Sequence, residues 1–75
     1  MKDDLILVTG AGGFIAGNLV AELRRQGYKR IRAVDIKPLE EWYQKFDDVE
    51  NLSLDLEIRE NCYQAAKGAR WIFNL

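Results

Sequence analysis

The chain has 75 residues, 48% of them hydrophobic and 31% charged, with a formal net charge of −1 from 11 basic and 12 acidic side chains. This suffices for one small globular domain with a modest core, and the balanced charge leaves no electrostatic footprint for nucleic acid or an anionic membrane surface. No histidine and a single cysteine, Cys62, exclude an ordinary zinc site and an internal disulfide, and no apolar run approaches the roughly 18 residues of a membrane span.

The opening Met1-Lys2-Asp3-Asp4 carries acids where a signal peptide carries only bases, so a reducing, cytoplasmic setting is expected. Leu5-Ile6-Leu7-Val8 is a short continuous apolar run bounded by Gly10, which predicts a strand buried on both faces. Ile15, Leu19, Val20 and Leu23 recur at helical spacing with Glu22, Arg24 and Arg25 opposite them, and Gly27 supplies a stop, predicting a helix over 13–26. Ile31-Arg32-Ala33-Val34 is the second strand, ending in Asp35. After Pro38, the residues Leu39, Trp42, Tyr43 and Phe46 fall at i, i+3, i+4 and i+7, which predicts a short amphipathic helix whose aromatics cover the sheet rather than bind a substrate. Leu52, Leu54 and Leu56 alternate with polar residues, as in a third strand nearer the sheet edge. Ile58, Cys62, Ala65 and Ala66 form the apolar stripe of a further helix ending at Gly68, and Trp71-Ile72-Phe73 is a fourth strand. The alternation predicts an α/β fold: a Rossmann-type parallel sheet of four strands, order 3-2-1-4, with flanking helices and right-handed crossovers, the first half of a doubly wound domain.

Thr9-Gly10-Ala11-Gly12-Gly13-Phe14-Ile15-Ala16-Gly17 joins the first strand to the first helix, the context in which a glycine-rich turn binds a dinucleotide. Gly10 allows the sharp turn, Gly12 or Gly13 removes a Cβ so that backbone can approach a pyrophosphate, and small Ala16 lets helix and strand pack closely. The first N–H groups of the helix, those near Phe14 and Ile15, then point at the phosphates. The alternative, a ligand-free connecting turn, is disfavoured by the agreement of strand, turn, helix and second strand. A triphosphatase loop is excluded because Gly13-Phe14 stands where Gly-Lys-Ser/Thr is required.

Asp35 ends the second strand in the zone about 20 residues past the glycines where an acid accepts from the adenosine ribose hydroxyls. Ile36 and Lys37 follow directly and belong to the same contact. A carboxylate there repels a 2′-phosphate, which favours NAD over NADP, although Lys37 could reach toward such a phosphate. Asp55 and Leu56 close the third strand at the same edge; Asp55 could accept from the adenine amino group with Leu56 against the ring, or could cap the next helix, and the spacing leaves both open. Tyr63-Gln64-Ala65-Ala66-Lys67 spells Tyr-x-x-x-Lys, but Tyr63 and Lys67 lie on the polar face of their helix and precede the fourth strand, so the pair is read as chance. Cys62 sits in an apolar stripe and reads as core, not as a nucleophile.

These residues together resemble the extended short-chain dehydrogenase/reductase superfamily along essentially the whole chain, through the Thr-Gly-x-x-Gly-x-Ile-x turn of residues 9–16. Ala16, Glu60-Asn61-Cys62 and Phe73-Asn74-Leu75 are most similar to its GDP-mannose 3,5-epimerase branch. The resemblance implies that Gly10, Gly13, Phe14 and Ile15 surround the pyrophosphate, Asp35 the ribose, and Asp55 and Leu56 the adenine. It also implies a bound NAD that transiently oxidises a nucleotide-sugar in an epimerase or dehydratase. The family's catalytic Ser, its functional Tyr-x-x-x-Lys and its sugar-nucleotide domain would lie beyond Leu75, so this chain is expected to be the N-terminal part of a longer enzyme and not catalytic by itself. A non-catalytic dinucleotide-binding module and a structural fragment are the other readings. In the 3-2-1-4 order the fourth strand is an edge with unpaired backbone, so association through it, including homo-oligomerisation, is expected.

Overall fold

The structure, a computed structural model, describes residues 2–75. It runs β1 (Ile6–Thr9), α1 (Phe14–Arg25), β2 (Ile31–Asp35), a single 3-10 turn (Leu39–Glu41), β3 (Glu50–Ser53), α2 (Arg59–Ala66) and β4 (Trp71–Asn74). The strands form one parallel sheet ordered β3-β2-β1-β4, as the sequence predicts. β1 is central, with Ile6 opposite Ile31 on one side and Trp71 on the other.

Successive side chains of a strand point to opposite faces, and both faces of β1 and β2 are covered. Ile6, Val8, Ile31 and Ala33 pack toward Ala16, Val20 and Leu23 of α1. Leu7 and Val34 point the other way and meet Ala65 of α2. Ile6, Val8 and Val34 are the largest fully buried side chains, each contributing about 1.5–3 kcal/mol through burial. Helix α1 stops where Gly27 takes φ +96°. There the Gly27 N–H donates to the Arg24 carbonyl at 3.0 Å and the Tyr28 N–H to the Leu23 carbonyl at 3.1 Å, satisfying two carbonyls that the helix leaves open.

Three segments depart from the sequence expectation. No α-helix forms over 39–46. The chain leaves the 3-10 turn extended at Trp42, with φ −69° and ψ 142°. Helical spacing would put Trp42 and Tyr43 on one face, but Trp42 is buried while Tyr43 is exposed. The competing bonds explain this: the Trp42 indole N–H donates to the Lys37 carbonyl at 3.0 Å, and the Tyr43 backbone N–H to the Gly12 carbonyl at 2.9 Å. Leu39, Trp42 and Phe46 still cover the α1 face of the sheet.

Strand β3 begins and ends earlier than the leucine alternation implies. Its register runs from Arg32 opposite Glu50 to Asp35 opposite Ser53, so pairing ends where β2 ends. Leu54 and Leu56 lie past the strand and pack on the α2 face. Helix α2 buries only Ala65 of its expected stripe, while Cys62 is half-buried and Ile58 and Ala66 are exposed. A cation does the docking in place of apolar side chains. Arg32, on the α2 face of β2, donates from Nη1 to the carbonyls of Gln64 (3.3 Å), Ala65 (2.6 Å) and Lys67 (2.8 Å), and from Nε to Glu50 at 2.8 Å. The last carbonyls of a helix carry partial negative charge and need such donors.

All four residues of β4 are exposed, and its outer edge has no neighbouring strand among the described residues. No helix among the described residues is long and apolar enough to cross a membrane.

Candidate functional site

In an open parallel sheet, ligands bind outside the carboxyl ends of the strands where the strand order reverses. Here that place is the end of β1, between β2 and β4. Gly10 turns the chain with φ +70°, a conformation that side chains rarely adopt, and a Cβ on it would lie 2.9 Å from the Leu75 carbonyl oxygen. The Ala11 N–H then donates to the Val34 carbonyl at 3.0 Å, tying the turn to β2.

The two following glycines have different tasks. Gly12 is buried, and a Cβ there would stand 2.8 Å from Trp42 Cδ1 and 3.1 Å from Asp35 Cγ, so protein already fills that side. Gly13 would meet nothing nearer than the Gly10 oxygen at 3.4 Å. Gly13 is also the N-cap of α1, with no side-chain cap and no acid in the first turn. The first-turn N–H groups therefore lack intrahelical partners at the positive end of the helix dipole.

Asp35 connects this turn to β2. Its Oδ2 accepts from the Gly12 N–H and its Oδ1 from the Lys37 N–H, each at 3.0 Å. A carboxylate oxygen can accept more than one bond, so both retain capacity on the open side. Beside Asp35 lies a cleft of about 230 Å³ lined by Gly10, Asp35, Ile36, Leu54, Leu56 and Leu75, together with Thr9, Val34 and Asn74. A second, more open hollow of about 460 Å³ continues past Gly10 to Gly13, Phe14 and Ile15. Phe14 and Ile15 are 60% and 73% exposed, and the Phe14 ring meets Tyr43 edge-on at 4.9 Å.

Of the residues singled out from sequence, Gly10, Asp35, Ile36 and Leu56 line the cleft, and Gly13, Phe14 and Ile15 line the adjoining hollow with Gly10. Gly12 lies behind them as a support. Lys37 is exposed at the turn that Asp35 holds. Asp55 does not line the cleft: its Oδ1 accepts from the Glu57 N–H at 2.9 Å. Nor does it cap α2, whose N-cap is Ile58 without a side-chain bond, because the chain makes one more turn before the helix. Thr9, Val34, Leu54, Asn74 and Leu75 also line the cleft and were not singled out. Each stands at or just past a strand end, so the carboxyl-end rule applied strand by strand would have found most of them. Thr9 Oγ1 donates to Asn74 Oδ1 at 2.6 Å, which fastens β4 to β1 at this edge.

Tyr63 and Lys67 are exposed and line neither hollow. The Cys62 thiol is half-buried and donates to the Leu56 carbonyl at 2.6 Å. Another hollow, of about 620 Å³, lies at the opposite end of β2 among Arg24, Tyr28, Lys29 and Asp48. Its two arginines are paired: Arg24 binds Asp48 through two bonds of 2.8 and 2.9 Å and holds that carboxyl below its ordinary value, and Arg25 pairs with Glu22.

Comparison with known proteins agrees with this arrangement. The sequence profile of the 3-beta hydroxysteroid dehydrogenase/isomerase family matches residues 7–75. The chain is 37% identical over 70 residues to GDP-mannose 3,5-epimerase of Arabidopsis thaliana and 34% identical over 70 residues to GDP-mannose 3,5-epimerase 1 of Oryza sativa subsp. japonica, in each case covering 93% of this chain and 18% of the relative. The chain thus spans about a fifth of the length of these curated relatives. Among solved structures, a short-chain dehydrogenase/reductase superfamily protein from Agrobacterium tumefaciens with bound NAD superposes with a TM-score of 0.77 at 30% identity, covering 95% of this chain and 20% of that one. MoeE5 in complex with UDP-glucose and NAD superposes with a TM-score of 0.73 at 35% identity, covering 95% and 21%. With sheet order, glycine turn and acid all in their places, the chain belongs to the extended short-chain dehydrogenase/reductase superfamily and, within it, to the 3-beta hydroxysteroid dehydrogenase/isomerase family.

Proposed function

We propose that the chain is the NAD-binding portion of a nucleotide-sugar epimerase or dehydratase. The observation that carries this reading is that the Asp35 carboxylate and an uncapped α1 N-terminus line two adjoining hollows, which share Gly10 and Leu75, at the carboxyl ends of the strands. The parts fit a dinucleotide. Gly13 leaves room for a pyrophosphate against the first-turn N–H groups of α1, including those of Phe14 and Ile15. Asp35 accepts from the two ribose hydroxyls with the lone pairs that Gly12 and Lys37 leave open. Leu54 and Leu56 flank the adenine, and Ile36 closes the ribose side. A 2′-phosphate would stand against the Asp35 carboxylate, so NAD is favoured over NADP.

When bound, NAD supplies the hydride acceptor and donor for transient oxidation of a sugar. The contribution of this chain is to hold the adenosine and pyrophosphate in fixed orientation. The similarity to GDP-mannose 3,5-epimerase and to MoeE5 supports a nucleotide-sugar substrate. In this reading the sugar site and the proton-transfer groups lie in parts of a longer protein outside these residues, and the open edge of β4 takes a further strand, from that protein or from a second copy.

Calorimetric titration with NAD and NADP, for the wild-type chain and Asp35→Ala, tests the reading. Micromolar-to-millimolar NAD binding that weakens in the variant is the expected result. A folded chain without NAD binding, or an Asp35→Ala chain that binds equally well, refutes it.

A further inference from the structure

Trp42 does more than fill space. Its indole lies against Gly12, where an added Cβ would come within 2.8 Å of Cδ1 and 3.0 Å of Cγ. Its Nε1–H donates to the Lys37 carbonyl at 3.0 Å, and the Ser53 hydroxyl donates to the same carbonyl at 3.0 Å. The next residue, Tyr43, donates its N–H to the Gly12 carbonyl at 2.9 Å. Gly12 and Lys37 in turn donate their N–H groups to the two oxygens of Asp35. These contacts close a ring: carboxylate to glycine turn, glycine turn to the 42–43 segment, indole to the Lys37 carbonyl, Lys37 N–H back to the carboxylate.

We infer that Trp42, assisted by Ser53, is a positioning residue for dinucleotide recognition, fixing the Asp35–Lys37 turn so that the carboxylate faces the ribose and Lys37 is kept from a 2′-phosphate. The inference rests on the function proposed above. Phenylalanine would fill most of the same volume, so packing alone does not require an indole at this position. The N–H does, because the Lys37 carbonyl is the point from which the turn can be held without touching the carboxylate. A buried indole N–H also needs a partner, and here that partner belongs to the recognition loop.

The test compares the wild-type chain with Trp42→Phe and Ser53→Ala by amide hydrogen exchange and by titration with NAD and NADP. In Trp42→Phe, the Gly12 and Lys37 amides should exchange about tenfold faster while Val34 in β2 is unchanged, and NAD affinity should fall about tenfold, the scale of one lost hydrogen bond. NADP affinity should fall less, so the ratio of NAD to NADP affinity narrows, which a loss of packing alone would not produce. Ser53→Ala, an exposed position outside the core, should move the same ratio in the same direction by a smaller factor. Unchanged exchange and an unchanged ratio in a folded Trp42→Phe chain overturn the inference. Should Trp42→Phe not fold, an unchanged ratio in Ser53→Ala overturns it equally. Wild-type chain that does not bind NAD refutes the proposed function and this inference with it; wild-type binding with unaffected variants refutes the inference alone.

Discussion

Substituting alanine at Gly12 and at Gly13 separates two tasks that adjacent glycines perform. At Gly12 the new Cβ would press on Trp42 Cδ1 at 2.8 Å and on Asp35 Cγ at 3.1 Å. Neither neighbour gives way cheaply: Trp42 is 8% exposed and bonded through its indole, and Asp35 is held by two backbone N–H groups. Overpacking of this kind costs roughly 1–3 kcal/mol. In a domain of this size each kcal/mol lowers the melting temperature by roughly 4–8 °C. At Gly13 the backbone has φ −88°, which alanine accepts, and the nearest atom stands at an ordinary 3.4 Å. Gly13→Ala should therefore melt near the wild type, or about 0.4–1 kcal/mol above it because the unfolded chain is stiffer. Its methyl group would nevertheless stand where a pyrophosphate approaches, so NAD binding should be lost. Thermal unfolding followed by far-UV circular dichroism, with NAD titration on each folded variant, reads both effects. A stable Gly12→Ala chain, or a Gly13→Ala chain as damaged in stability as Gly12→Ala, would refute the division of labour.

Replacing Arg32 with methionine keeps the aliphatic stem but removes the donors to two α2 carbonyls, to that of its C-cap Lys67 and to Glu50; a loss of about 2 kcal/mol, the scale of charged hydrogen bonds, should appear in urea denaturation. The Glu22 carboxyl is lowered from 4.5 to about 2, first by its hydrogen bond from Arg25 and then by that from Gln26. A lowered carboxylate pKa contributes stability that is present above the unfolded value and lost as pH falls through the folded one, so the window is pH 4.5 down to about 2. Glu22→Gln should flatten the fall of melting temperature across that window, by a small amount because the pair is solvent-exposed, and an identical slope would show that the pair contributes nothing. Ile72→Lys, on the open β4 edge where Ile72 is 54% exposed, should abolish concentration-dependent growth of the scattering mass; a wild-type chain that stays monomeric at high concentration would dispose of edge pairing altogether.

The parts of the fold legible in the sequence are those set by short-range rules. The continuous apolar run Leu5–Val8 can be buried on both faces only in a covered parallel sheet, and Gly27 ends α1 because the left-handed stop is local. The misread segment, 39–46, has true helical spacing, but its polar groups find better partners on Gly12, far away in sequence, and on Lys37, just before the segment. Periodicity carries no record of such partners. Arg32 was equally hidden: inside a strand it reads as an interruption, and only the crossing of α2 over the sheet shows what it holds. At the site, the glycine turn and Asp35 were legible because motif and spacing place both at strand ends. Leu54 was less so, because the leucine alternation carries β3 past it while pairing stops at Ser53; Asn74 and Leu75 follow from the same strand-end rule once β4 is aligned with β1.

The manner in which α2 is held has a consequence for how the molecule comes apart. A helix that buries one alanine and hangs from one guanidinium has little to lose on leaving the sheet. Segments with few buried contacts open at free energies well below that of global unfolding. Helix α2 should therefore lift off while the paired strands and α1 remain assembled, and Lys67 and Arg70 in the connection to β4 lie within reach of trypsin each time it does. Limited digestion of the native chain would then yield one dominant core ending near Lys67, rather than a ladder of fragments.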